Sequence, residues 1–196
     1  MIAPVVASMY RKDIKFLILM GTPGVNGEEI LLKQTYDIAK ASGVKEEKVK
    51  KMIEMNKKIY DLVKKSKTHK KINWIKEEII KISPETEKQM KILLSPWFVE
   101  FLSFEPKKYL EKINIPVLVL SGEKDLQVSA KENNKAIKKT FEKAGNKKYE
   151  IVTFRNLNHL FQTAKTGLPA EYGKLNEIIN EKVLNKIINW LNKEVR

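Results

Sequence analysis

Two residues of this chain have the type and the setting for proton-transfer chemistry. Asp125 lies in "PVLVLSGEKDLQVS", just past a short apolar run that stops at Ser121-Gly122. His159 lies 34 positions later in "YEIVTFRNLNHLF", just past a second such run. An imidazole can take the proton of a hydroxyl nucleophile. A carboxylate on its other ring nitrogen fixes the tautomer and stabilises the cation. Each residue alone has a plainer reading. An aspartate after a strand is commonly a turn former or helix cap, and a histidine between apolar neighbours is often a satisfied core residue. The pair carries more, because both residues follow strands, at the same end, in the order acid then base. No G-x-S-x-G frame occurs in the 196 residues, and Ser8, Ser103 and Ser121 lack the glycines of a sharp strand-to-helix turn. Ser121 comes nearest in position, where a hydroxyl commonly satisfies loop amides. His69, in "SKTHKK", reads as solvated.

The elements that must position the pair follow from periodicity. The continuous apolar run "IKFLILMG" (14 to 21), stopped by "GTPG", predicts a strand buried on both faces. "PVLVLSG" and "KKYEIVTF" predict two more strands. Between them "SAKENNKAIKKTFEKAG" reads as a helix ended by Gly145. "EPKKYLEKI" reads as a short helix before the second strand, and a last helix is expected over about 171 to 194 after a loop at 155 to 170. Strand, helix, strand, helix argues a parallel sheet with right-handed crossovers. In such sheets functional groups collect beyond the carboxyl ends of the strands. Asp125, His159 and "GTPG" (21 to 24) fall together there.

Residues 27 to about 104 show helical patterns instead: 28 to 42, 45 to 67, 70 to 81 and 85 to 94, with Ser83-Pro84-Glu85 a good helix start. The expected division is helix and first strand over 1 to 26, a helical cap insertion over 27 to 105, and the remaining α/β core with the acid and base loops over 106 to 196. Trp74, Trp97, Phe98, Phe101 and Phe104 either line a pocket under that cap or pack it onto the core, and packing is the simpler expectation.

Composition excludes several classes. The chain has no cysteine and two histidines, so disulfides, thiolate metal sites and a cysteine nucleophile are ruled out, and neither a metal nor an organic cofactor is expected. No apolar run reaches the roughly 18 residues of a membrane span. In "MIAPVVASMYRK" the basic residues follow the apolar stretch, so it is no secretory signal. The compartment stays unknown; a cytoplasmic location is expected if nothing precedes Met1. The net charge of +14 suggests an anionic partner. However, the only arginines are Arg11, Arg155 and Arg196, and the lysines are spread through helices. Arginine is favoured for phosphate forks and base edges, so lysine bias is the better account and no nucleic-acid partner is expected.

The strings "SGEKDLQVSAKEN" and "RNLNHLFQTAKTGLPAEYGKLNE" resemble the C-terminal end of bacterial α/β-hydrolase esterases, the serine-aminopeptidase-like and dienelactone-hydrolase-like branch. "IAPVVA", "FLILMGTPGVNGEEILLKQ" and "SPWFVEFLSFEP" are similar to that branch too. "NHLFQTAKTGLPAEYG" is the most specific of these, whereas "GEKD" recurs widely. The resemblance implies the C-terminal part of an α/β-hydrolase fold, with three parallel strands, flanking helices and an inserted helical cap. It implies a serine carboxylesterase with Asp125 as triad acid and His159 as triad base. It also implies that "IAPVVA" belongs to the helix after the nucleophile elbow, which puts the serine and its oxyanion amides upstream of Met1. The implied partners are a small ester or amide substrate and a companion polypeptide carrying the N-terminal half. Other readings stay open: an amide or peptide hydrolase of the same fold, a catalytically inactive remnant, or a binding or scaffold protein.

Overall fold

The computed structural model describes residues 2–67 and 73–194. The expected solvated His69 and the terminal Arg196 lie outside the described residues. The chain divides into two compact units, one of Met1–Val25 with Glu105–Arg196 and one of Asn26–Phe104.

The first unit is built on three parallel strands, β1 (Leu17–Met20), β2 (Val117–Gly122) and β3 (Tyr149–Phe154), in the order β1-β2-β3. Leu17 pairs with Val117, and Val117 with Tyr149, so all three strands end together. The central strand is buried along its whole length, and its alternating side chains feed two cores. Val117 and Val119 face Ala7 of α1 (Ile2–Met9), Leu110 of α7 (Lys107–Leu110), and Ile137 and Phe141 of α8 (Ala130–Lys143). Leu118 and Leu120 face Leu157, Phe161, and Val183 and Trp190 of α10 (Glu181–Glu194). Helices on both faces of a parallel sheet make the unit α/β.

The second unit is all helix: α2 (Gly27–Ala41), α3 (Glu46–Lys65), α4 (Asn73–Ile82), a 3₁₀ turn at Pro84–Gln89, α5 (Met90–Leu93) and α6 (Pro96–Leu102). It has its own core of Ile59, Tyr60, Val63, Ile75, Ile79, Met90, Leu93, Phe98, Val99 and Leu102. Asn26 caps α2 by accepting the Glu29 N–H at 2.9 Å. Of the five aromatics, Phe98 is buried in this core against Tyr60, while Trp97 is 64% exposed and stacks on Phe101 at 5.3 Å between ring centroids.

Three local expectations are corrected. β1 covers only 17–20 of the apolar run 14 to 21, and only Leu17 and Leu19 are buried, while Met20 is 39% exposed. It pairs with one strand among the described residues, and only alternate side chains are fully covered. Ser83 stands at the cap position before Pro84, but its side chain makes no capping bond and the turn that follows is 3₁₀. Its carbonyl oxygen instead accepts the Thr86 N–H at 3.0 Å. A further helix, α6, starts after Ser95, whose hydroxyl accepts the Phe98 N–H at 3.2 Å. The last helix begins at Glu181, not near 171. Residues before it bond to the histidine loop: the Gln162 amide donates to the Glu177 carbonyl at 2.8 Å, and the Asn180 N–H to the Phe161 carbonyl at 2.9 Å.

Candidate active site

The carboxyl ends of the three strands present, in order, Gly21, the acid loop after Gly122 and the histidine loop after Phe154. In the acid loop, Asp125 is 3% exposed. Its Oδ1 accepts the Gln127 N–H at 2.9 Å and the Val128 N–H at 2.8 Å. This is the turn-forming role aspartate plays after strands. It consumes one oxygen and leaves the other free. That other oxygen, Oδ2, is 2.8 Å from His159 Nδ1. One oxygen thus serves the turn and the other contacts the imidazole.

The histidine loop is closed on itself. Leu157 and Thr163 form an antiparallel bridge. Inside it Asn158 is fully buried. Its Oδ1 accepts the Leu160 N–H at 2.9 Å and the Gln162 N–H at 3.0 Å, and its amide donates to Gln162 Oε1 at 3.0 Å. Asn156 and Phe161 take positive φ values of 62° and 60°. Asparagine accepts that conformation readily; phenylalanine rarely does. Phe161 is held in it by its N–H bond to the Asn158 carbonyl at 3.0 Å and by burial of its ring against Phe154. The His159 side chain itself remains 28% exposed.

Close backbone approach brings the loops together. A Cβ on Gly122 would stand 2.3 Å from the Leu157 carbonyl oxygen and 2.5 Å from that of Asn158. A Cβ on Gly21 would stand 3.1 Å from His159 Cε1 and 3.6 Å from Asp125 Oδ2. The first residue of "GTPG" thus lies against Asp125 and His159, as its place beyond the first strand suggests. The same segment is fixed by buried Asn133, whose Oδ1 accepts the Gly24 N–H at 2.7 Å.

Downstream of His159 the chain doubles back to the acid loop. Lys124 Nζ donates to the Ala164 and Lys165 carbonyls at 2.8 and 2.7 Å, and a Cβ on Gly167 would stand 2.2 Å from the Lys124 carbonyl oxygen. A short helix, α9 (Pro169–Tyr172), follows. Its Glu171 carboxylate accepts the Lys165, Thr166 and Gly167 N–H groups and the Thr166 hydroxyl. Those bonds, the Lys165 N–H foremost, hold its pKa down at about 2. Tyr172 accepts the Gln127 side-chain N–H at 3.2 Å. Burial is the main cause that raises its phenol's pKa, and the Asp125 charge adds to it. The Gln127 amide and the His159 backbone oppose the rise.

Of the residues singled out by type and spacing, Asp125 and His159 are brought into contact. Ser121 is not engaged with loop amides: it is 3% exposed and its hydroxyl donates to Asn134 Oδ1 at 2.9 Å. The Ser8 hydroxyl donates to the Val5 carbonyl within its own helix at 2.7 Å. Asn158, Gln127, Glu171 and Tyr172 were not anticipated. The spacing of Asn158 and Gln162 in "NHLFQ" is the one sequence signal for the closed loop. Tyr172 carries none, since only the return of the chain to the acid loop gives it a role.

With this geometry in place, comparison with known proteins is informative. Esterase EstD of Thermotoga maritima is 28% identical over 98 residues, which are 50% of this chain and 23% of that protein. The chain thus matches less than a quarter of that relative's length. Residues 100–195 match the model described as the Dienelactone hydrolase family. Those residues hold β2, β3, both site loops and the final helix. Over these residues the chain is similar to the dienelactone hydrolase family, and its parallel sheet flanked by helices fits the α/β-hydrolase superfamily to which that family belongs.

Proposed function

We propose that the chain supplies the acid and the base of a serine-type acyl hydrolase acting on small esters, and that the serine belongs to a nucleophile elbow outside these 196 residues. The observation that carries this reading is the 2.8 Å contact of His159 Nδ1 with a buried carboxylate whose other oxygen is fixed by two backbone N–H groups. An aspartate held in this way cannot turn away from the imidazole. It keeps the proton on Nδ1 and leaves the Nε2 lone pair to act as base. In the proposed cycle the serine oxygen attacks the ester carbonyl carbon while His159 Nε2 takes its proton. The tetrahedral adduct collapses, and the alkoxide leaves with that proton. Water then repeats the sequence on the acyl-enzyme, and the acid product departs. Asp125 stays ionised throughout and stabilises the imidazolium. Ester rather than amide substrates are favoured because the similar Thermotoga protein is named an esterase.

The test is labelling with a fluorophosphonate, read by intact mass. The chain alone is expected to gain no mass. Supplied with a polypeptide that carries a G-x-S-x-G elbow and its preceding strands, it is expected to yield one adduct, on the elbow serine, and ester hydrolysis. Both are lost in His159→Ala. In Asp125→Asn, hydrolysis falls by about four orders of magnitude, as when a triad loses tautomer control. A His159-dependent adduct on a serine within the chain would overturn the proposal.

A further inference from the structure

We propose that Tyr172 is a positioning residue for the Asp125–His159 pair, its phenolic oxygen bracing the acid loop from the segment that follows the histidine loop. The inference rests on the reading of that pair as acid and base. Three independent features place the tyrosine. The Lys124 ammonium binds the Ala164 and Lys165 carbonyls. Gly167 packs on the Lys124 backbone at a distance no Cβ would allow. The Glu171 carboxylate gathers the N–H groups of residues 165 to 167. Together they return the chain after His159 to the acid loop and fasten α9 there. The Tyr172 oxygen then meets the Gln127 amide at 3.2 Å, and Gln127 is the residue whose backbone N–H grips Asp125 Oδ1.

Tyr172 stands on the segment that leaves the histidine loop, so its bond to Gln127 links that segment to the residue that holds the acid. Tyr172 does not touch the reacting atoms of the proposed cycle; it acts through Gln127 and Asp125.

Removing the hydroxyl while keeping the ring tests this. In Tyr172→Phe the Gln127 side chain loses its partner. The readout is the proton NMR signal of His159 Nδ1–H and its rate of exchange with solvent. With His69 the only other histidine, His159→Ala identifies the signal. The exchange is expected to quicken by about fivefold or more, the ratio that corresponds to one hydrogen bond of ordinary strength, while the thermal midpoint stays close to wild type. In the hydrolase completed with its serine, the same variant is expected to lower kcat by a similar factor at unchanged KM.

A folded Tyr172→Phe whose Nδ1–H exchanges at the wild-type rate would overturn the proposal. If that variant does not fold, Gln127→Leu decides: faster exchange supports the proposal and wild-type exchange sinks it. The exchange measurement needs no turnover. A response without hydrolysis in the completed protein would retain the positioning role and reject the hydrolase reading.

Discussion

At the residue scale, the two carboxylates of the site region show how backbone donors set the work a side chain can do. Asp125 spends one oxygen on two N–H groups and offers the other to His159. Glu171 spends its carboxylate on three N–H groups and a hydroxyl, and its pKa falls from the usual 4.5 to about 2. Depression means that the folded state prefers the ionised form. The resulting stability is fully present above pH 4.5, and it is lost as pH falls toward 2. Thermal unfolding of wild type and Glu171→Gln should therefore differ at pH 6. The difference should shrink between pH 4.5 and 2, where the wild-type group takes up its proton. A difference independent of pH over that window would show that the charge of Glu171 is not what holds the 165–167 turn.

At the scale of elements, the three strands, the helix between β2 and β3, and the helical block were all legible in the sequence. Period-2 and continuous apolar runs mark strands, and the cap and stop residues mark helices. What was not legible depends on contacts distant in sequence. The late start of α10 follows from Asn180 and Glu177 bonding to the histidine loop, which local periodicity cannot report. β1 read as buried on both faces because "FLILM" is uniformly apolar, and pairing on one side is a property of the sheet. For the site, residue type and order marked Asp125 and His159. Asn158, buried inside the histidine loop, and Tyr172, at the end of α9, carry no such mark, because their partners are seen only when the loops are folded together. Gly122 is where they meet. Gly122→Ala forces its new carbon onto two carbonyl oxygens. It should destabilise the α/β unit by about 2 kcal/mol or more, in the range of overpacked cores. The His159 Nδ1–H signal should be lost in variant protein that still folds. Denaturant titration combined with that signal checks both, and a variant of wild-type stability would show that the histidine loop can retreat from β2.

At the scale of the whole molecule, the chain holds two units with separate cores, one α/β and one helical. All the residues of the acid–base pair and its bracing lie in the first. Within that unit the support of His159 comes from both sides in sequence, since Leu157 and Phe161 share a core with Val183 and Trp190 of α10. The Asn180 N–H closes on the Phe161 carbonyl just before that helix begins.

This arrangement bears on what happens while the polypeptide is being made. Synthesis runs from the amino end, so His159 emerges before the helix that backs its loop. Until Val183 and Trp190 arrive, Leu118, Leu120 and Phe161 face water. A premature stop codon after residue 178 would spare both Asp125 and His159 and still be expected to leave the histidine loop unformed. The shortened product should bind a hydrophobic dye and lack the Nδ1–H signal, and a separately added peptide spanning 179–196 should restore it. If the shortened chain instead shows the signal at full strength, the loop carries its own fold and the final helix merely covers it.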